Sequence, residues 1–301
     1  MKVWKVFGAG VRQVFHHKKL LLLFYVPNLL LAYILTVPVR KALQQVIGHS
    51  LVSEEVARFV NVAFLVDFSR ERPGLVSALL AGVGAAMLIT VFLNTFLLGG
   101  AVSSLTLRRT STWSDVLSDA ASYFARFFRL LLLSLVGYAL AVLVAFLLSR
   151  GFSALGQIVA AESGHFAGRV GGLLLLLLLV LFVNQIFDYA KILTVRYDEP
   201  RARVALRQAV GFIFTDGHFW RTLALYYLIT ACAGLAIFLY NTGASLLDSP
   251  NGFFVLLLFV WQQLFILTKV GIKLLYYGSQ AMYVNSELPQ VEPMEPTELL
   301  A

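Results

Sequence analysis

The sequence predicts an all-α fold: a polytopic integral membrane protein with six transmembrane helices in three hairpins and amphipathic interfacial helices. Three observations predict it. Six near-continuous apolar stretches run along the chain, at Leu20–Val37, Leu75–Leu98, Leu130–Leu148, Leu173–Phe187, Thr222–Tyr240 and Phe253–Thr268. Apolar residues make up 59% of the 301 and charged residues only 13%, with mean hydropathy +0.81, more apolar surface than one soluble core of this length can hide. The basic residues also fall unequally on alternate sides of the stretches.

A bilayer core is about 30 Å thick and is spanned by roughly 20 apolar residues in a helix. Most of the stretches have that length, and the fourth reaches it if Gly171 and the turns after Phe187 are helical. In lipid every backbone polar group must be paired within the protein, which leaves helices or a closed barrel. Leu173–Leu179 is apolar on every face, whereas a barrel strand alternates.

Orientation follows from Lys and Arg. One side receives Lys2, Lys5, Arg12, Lys18 and Lys19 of the N-terminus and Arg108, Arg109, Arg126 and Arg129 of the second loop. It also receives Lys191 to Arg221 of the fourth loop, then Lys269 and Lys273. The other side receives Arg40, Lys41, Arg58, Arg70 and Arg72, then Arg150 and Arg169, and none in the fifth loop. Both termini are therefore expected in the cytoplasm. Arg40 and Lys41 nearly balance Lys18 and Lys19 across the first span, so the later loops decide. The apolar run starts only at Leu20, behind a basic segment and with no small-x-small site after it, so a cleaved signal peptide is not expected. The net charge of +8 belongs to the cytoplasmic face and suits the anionic inner leaflet rather than nucleic acid.

Each odd-numbered span follows a basic amphipathic stretch with apolar residues at helical spacing: Trp4, Phe7, Val11, Val14; Trp113, Val116, Leu117, Ala120; Ala202, Ala205, Leu206, Ala209. Ser111 or Thr112 with Asp115 forms one start signal, and Asp198-Glu199-Pro200 another, with Asp as cap and Pro in the first turn. Arg126, Arg129 and Arg221 are expected at helix ends, near carbonyls and lipid phosphates. The even spans share polar insertions, Asn94-Thr95, Asn184-Gln185 and Trp261-Gln262, and continue to Leu105-Thr106, Leu193-Thr194 and Leu267-Thr268. This reads as three copies of amphipathic helix, span, outer loop, span, an internal repeat of a kind that often encloses a site. Pro27 is expected to kink the first span. Ala42–Phe68 is expected to lie on the outer membrane surface. The domain is drawn at 1–285 and a disordered acidic, Pro-containing cytoplasmic tail at 286–301.

The polar residues within the spans are the candidates for a site. Asn184, Asp188 and Lys191 share one face of the fourth span; Gln262, Lys269, Lys273 and Tyr276 share one face of the sixth; Asn94 belongs to the second. A mid-membrane charge costs about 2.5–3.5 kcal/mol on insertion scales, so such residues usually face a protein interior or a wet cavity. One reading has the even helices converging into a polar groove, with Asp188 paired to Lys191, Lys269 or Lys273. The other has the lysines snorkelling to the head groups and the amides bonding neighbouring helices. His16-His17 lacks further ligands nearby, and Cys232 is the single cysteine, so neither a metal site nor a disulfide is expected. No cofactor motif and no hydrolase or metalloprotease signature occurs, so an enzyme is not expected.

Asn94-Thr95-Phe96-Leu97-Leu98-Gly99-Gly100, then Tyr123-Phe124-Ala125-Arg126-Phe127-Phe128-Arg129, and Asp188-Tyr189-Ala190-Lys191 followed by Ala205-Leu206-Arg207-Gln208-Ala209, resemble a bacterial polytopic family. It is the membrane domain attached to some glycerophosphodiester phosphodiesterases, with free-standing relatives of uncharacterised function. The resemblance covers about residues 1–285. It implies this architecture and a bacterial inner-membrane address, and it carries over no activity. The functional expectation is a non-enzymatic membrane protein that binds or moves an anionic amphipathic ligand such as lipid. The alternative is a scaffold or accessory subunit with a protein partner in the membrane.

A reporter active only outside the cytoplasm should stay silent when fused near Arg201 or in the tail, and should become active in the fifth loop, near Asn251. The reverse pattern overturns the orientation.

Overall fold

The computed structural model describes residues 3–47, 70, 73–108, 112–159, 163–215, 217–247 and 251–288. Among them eight helices follow one another: α1 (Val3–His16), α2 (Lys18–Ile47), α3 (Pro73–Leu107), α4 (Trp113–Val159), α5 (Ser163–Arg196), α6 (Ala202–Phe214), α7 (His218–Leu246) and α8 (Gly252–Glu287). Six of them, α2, α3, α4, α5, α7 and α8, are long and apolar enough to cross a membrane. The chain is an all-α, multi-pass membrane protein. Most of the surface segment expected at Ala42–Phe68 lies outside the described residues, although α2 itself runs to Ile47. The tail lies outside them beyond Leu288, while Ser286 and Glu287 belong to α8.

The chain forms two compact units, Leu22–Thr95 and Met1–Leu21 with Phe96–Ala301. In the smaller, α2 continues through Pro27 and Pro38 without a break. The Asn28 amide donates to the Phe24 carbonyl (2.7 Å), and Asn94 donates to Asn28 Oδ1 (3.0 Å) and to the Thr90 carbonyl (2.9 Å). This amide pair ties α2 to α3.

In the larger unit, burial concentrates where the sequence is small or polar. Leu97 to Thr106 of α3, Phe187 to Val195 of α5 and Leu274 to Val284 of α8 hold most of the core, together with Val6 and Val14 of α1 and Ala205, Ala209 and Ile213 of α6. The remaining turns of the long helices carry exposed Leu, Val and Phe, such as Leu140, Leu177, Phe238 and Phe259, the surface that lipid tails cover. Close approach requires glycine at Gly10, Gly100, Gly172 and Gly243 among the described residues, and two of these join helices of the core. A Cβ on Gly100 would overlap the Val116 carbonyl of α4, and one on Gly10 would overlap Ser279 of α8. Next to this contact Ser103 donates to Asp119 across α3 and α4 at 2.7 Å.

The helix ends show which start signals act. Thr112 and Asp115 bond reciprocally, Thr112 N–H to Asp115 Oδ2 at 2.8 Å and Asp115 N–H to Thr112 Oγ1 at 3.3 Å, the capping-box arrangement. Asp198 does not cap α6. It stands at φ 49° and accepts from Arg126, while Arg201 occupies the N-cap position and offers no side-chain cap. Two of the three amphipathic stretches are separate helices: α1 stops at His16, and α6 stops before Thr215, with Gly217 in the left-handed region (φ 77°). The third is not separate. Trp113–Val159 is one helix of 47 residues, about 70 Å long, because nothing in Arg126–Leu133 interrupts it. Arg126 and Arg129 therefore sit mid-helix rather than at an end, and Arg221 falls in the first turn of α7.

Replacing Gly100 by Val should cost about 1–3 kcal/mol through overpacking against the Val116 backbone. Gly8→Ala meets nothing within 4 Å and should be neutral or slightly stabilising through its better helix propensity. Thermal unfolding in one detergent compares the two, and equal stability of the two variants would refute the packing assignment.

Candidate functional site

The lower half of α5 presents Asn184, Asp188 and Lys191 on one face, as i, i+4, i+7 spacing dictates. Asp188 Oδ1 accepts from Lys191 Nζ at 3.0 Å and from Tyr277 Oη at 2.7 Å, and Lys191 Nζ also donates to Tyr277 Oη at 3.0 Å. The three groups close a triangle. The side chains of Lys191 and Asp188 are only 18% and 12% exposed, so the pair is desolvated and its geometry matters. Lys273, one helical turn before Tyr277, lies within electrostatic reach of both Asp188 and Lys191. Asn184 Oδ1 accepts from Tyr138 of α4. Tyr276 turns the other way, bonding Thr230 of α7 at 2.7 Å and packing on Tyr226 at 4.7 Å between ring centroids.

Four helices therefore meet here: α4 through Tyr138, α5 through Asn184, Asp188 and Lys191, α7 through Tyr226 and Thr230, and α8 through Lys273, Tyr276 and Tyr277. Of the three lysines offered to Asp188, the structure selects Lys191. Gln262 and Lys269 do not join; both are exposed, and Lys269 Nζ stands 5.7 Å from the Phe265 ring centre. Asn94 is placed in the smaller unit, in its pair with Asn28.

One layer toward the basic ends, Arg196 donates to Asn285 Oδ1, and Asn285 Nδ2 donates to the Thr106 carbonyl at 2.8 Å. Gln13 of α1 donates to the Leu105 carbonyl at 2.6 Å. These side chains satisfy carbonyls in the last turn of α3, which has no further helix to receive them. The ends of α3, α5 and α8 thus meet. Leu105-Thr106 and Leu193-Thr194 are buried near their helix ends, whereas Leu267-Thr268 lies in the middle of α8.

Several buried polar atoms in this core have no protein partner among the described residues: both side-chain heteroatoms of Gln185 and of Gln280, and Tyr189 Oη. A buried polar group left unpaired costs about 1–3 kcal/mol, so these atoms call for water or a polar ligand. At the α1–α2 junction, burial and the neighbouring His16 hold the His17 imidazole below its usual pKa, which favours the neutral ring there. Among the described residues no group of His, Cys, Asp and Glu could hold a metal ion.

Sequence reasoning found α5 but missed Tyr138, Tyr226 and Tyr277, and took Tyr276 for the cluster face. The available signal was a phenol inside a Leu-rich span, since its hydroxyl must find a partner when buried. No family model matches this chain, and neither the curated proteins nor the solved structures compared with it give a match.

Asp188→Asn leaves Lys191 facing a neutral amide at low exposure and should cost about 3–5 kcal/mol, as for a buried pair losing one partner. Tyr277→Phe removes one neutral donor and should cost about 1–3 kcal/mol. Detergent-solubilised unfolding that ranks the two in the opposite order contradicts the triangle.

Proposed function

We propose that this protein is a non-enzymatic component of a bacterial inner membrane, with both termini cytoplasmic, that binds or moves an anionic amphipathic ligand such as a lipid. The observation that carries the proposal is the Asp188–Lys191–Tyr277 triangle with Lys273 beside it, buried where four membrane helices meet. Two ammonium groups accompany one carboxylate there, and the phenol and amide groups around them bind oxygen-rich head groups through hydrogen bonds. The amides of Gln185 and Gln280, without a partner among the described residues, support the same reading, because a buried amide needs polar partners. Three copies of one helical unit, suggested by the recurring sequence, suit such an enclosed site; the separate α1 and α6 support it, and the continuous α4 and the mid-helix Leu267-Thr268 depart from it. The resemblance to the phosphodiesterase-associated membrane domains supports the architecture and the address.

A photoactivatable anionic phospholipid analogue tests the proposal in vesicles. Labelled peptides should map to 184–191 and 273–277, and Lys273→Met should lower the labelling about fivefold. Labelling confined to the exposed apolar turns, unchanged in Lys273→Met, would overturn it.

A further inference from the structure

A second feature lies away from the cluster. Between α4 and the start of α6 is a cavity of about 550 Å³ lined by Arg129, Leu132, Leu133, Arg201, Arg203 and Val204. Its wall is apolar, formed by leucines and the hydrocarbon stems of the arginines, and all three arginines are exposed residues. Among the described residues no carboxylate pairs with Arg129, Arg201 or Arg203. The two acids nearest in sequence bond other groups than these guanidiniums. Asp198 holds Arg126, one turn before Arg129, and Glu199 accepts from the Arg201 backbone N–H at 3.0 Å. The Arg126–Asp198 contact clamps the α5–α6 connection onto α4, which brings Arg201 and Arg203 beside Arg129. The N-cap residue of α6, Arg201, makes no side-chain cap.

We infer that this groove is a docking site for one anionic phospholipid of the surrounding leaflet, its phosphate held by Arg129, Arg201 and Arg203 and an acyl chain lying along Leu132 and Leu133. Charge complementarity selects the head group: three guanidinium groups that no carboxylate pairs among the described residues bind phosphate through paired N–H donors. The apolar wall selects a lipid over a free anion, because inorganic phosphate would leave that wall exposed to water. The exposed residues of α4 that follow on the same side, Val136 and Leu140, continue the apolar track beyond the cavity. The inference extends the lipid reading to a second place on the chain and rests on none of the cluster's residues.

The test uses the purified full-length chain, delipidated and titrated with phosphatidylglycerol, with native mass spectrometry counting the lipids retained. Wild type should retain one tightly held phosphatidylglycerol more than the arginine variant described next, whatever the cluster holds, and phosphatidylcholine, whose choline offsets the phosphate charge, should be held more weakly. The triple variant Arg129→Gln, Arg201→Gln, Arg203→Gln should bind that lipid on the order of a hundredfold more weakly, about fivefold for each arginine lost. Lys273→Met should leave it in place. If the triple variant does not fold, Arg203→Gln alone should show the fivefold loss. Undiminished binding in a folded arginine variant, equal retention of phosphatidylcholine, or displacement by millimolar inorganic phosphate overturns the inference. Loss of labelling at 184–191 and 273–277 with this lipid retained would instead sink only the cluster reading.

Discussion

In a bilayer an apolar side chain gains little by leaving lipid for protein, because the acyl tails are as apolar as leucine. Helices there must be held by close packing and by polar contacts whose alternative is an unpaired group in hydrocarbon. The larger unit follows this constraint. Its leucine-rich turns stay on the surface, and its core is built where glycine, alanine, serine and threonine let backbones meet. Gly99 and Gly100 admit the Val116–Ala120 turn of α4, and Gly10 admits Ser279 of α8. Each interhelical hydrogen bond adds only about 0.6 kcal/mol, so shape carries more of the cohesion than any one polar pair.

The same constraint explains what could be read in advance. Six spans were legible because hydrocarbon demands length and apolarity, and both are written locally in each stretch. The Thr112–Asp115 box was legible because capping spans only three residues. The role of Asp198 was not. Asp198-Glu199-Pro200 has the composition of a helix start, but Arg126, 72 positions away, competes for the carboxylate and takes it. The continuity of α4 was likewise hidden, since the amphipathic pattern of 113–127 says which face is apolar and not whether the helix then bends. Along α5 the spacing did place Asn184, Asp188 and Lys191 together. Along α8 it could not distinguish Tyr276 from Tyr277, because a rotation of 100° between neighbours sends one to α7 and the other to Asp188.

An ion pair within a membrane protein is a poor device for stability. Replacing a buried pair by well-packed apolar residues of similar volume is often neutral or stabilising, while removing one partner is costly. Lys269 shows the inexpensive way to place a lysine on a span: it is exposed, with its ammonium beside the Phe265 ring. Lys191 instead turns into the cluster, to a carboxylate and a phenol, and Lys273 stands near enough to feel both charges. The desolvation of these groups is a cost with no structural return that leucine could not match. That imbalance is the physical reason for proposing a ligand at the cluster.

Helix α4 carries a residue at each of the two sites, and its continuity determines how they are related. Arg129 and Tyr138 are nine residues apart, which is about 14 Å along the axis and two and a half turns of rotation. They therefore project from opposite sides of the same rod. Leu132 and Leu133 fall on the Arg129 side, so a chain lying along them is directed away from Asn184 and the Asp188 triangle. A hinge after the amphipathic stretch, such as those that separate α1 from α2 and α6 from α7, would allow the arginine side to swing independently of Tyr138. Without one, the groove and the cluster are held at fixed distance and opposite azimuth by a single element. The two proposed positions therefore lie on opposite sides of α4 and would act as separate sites.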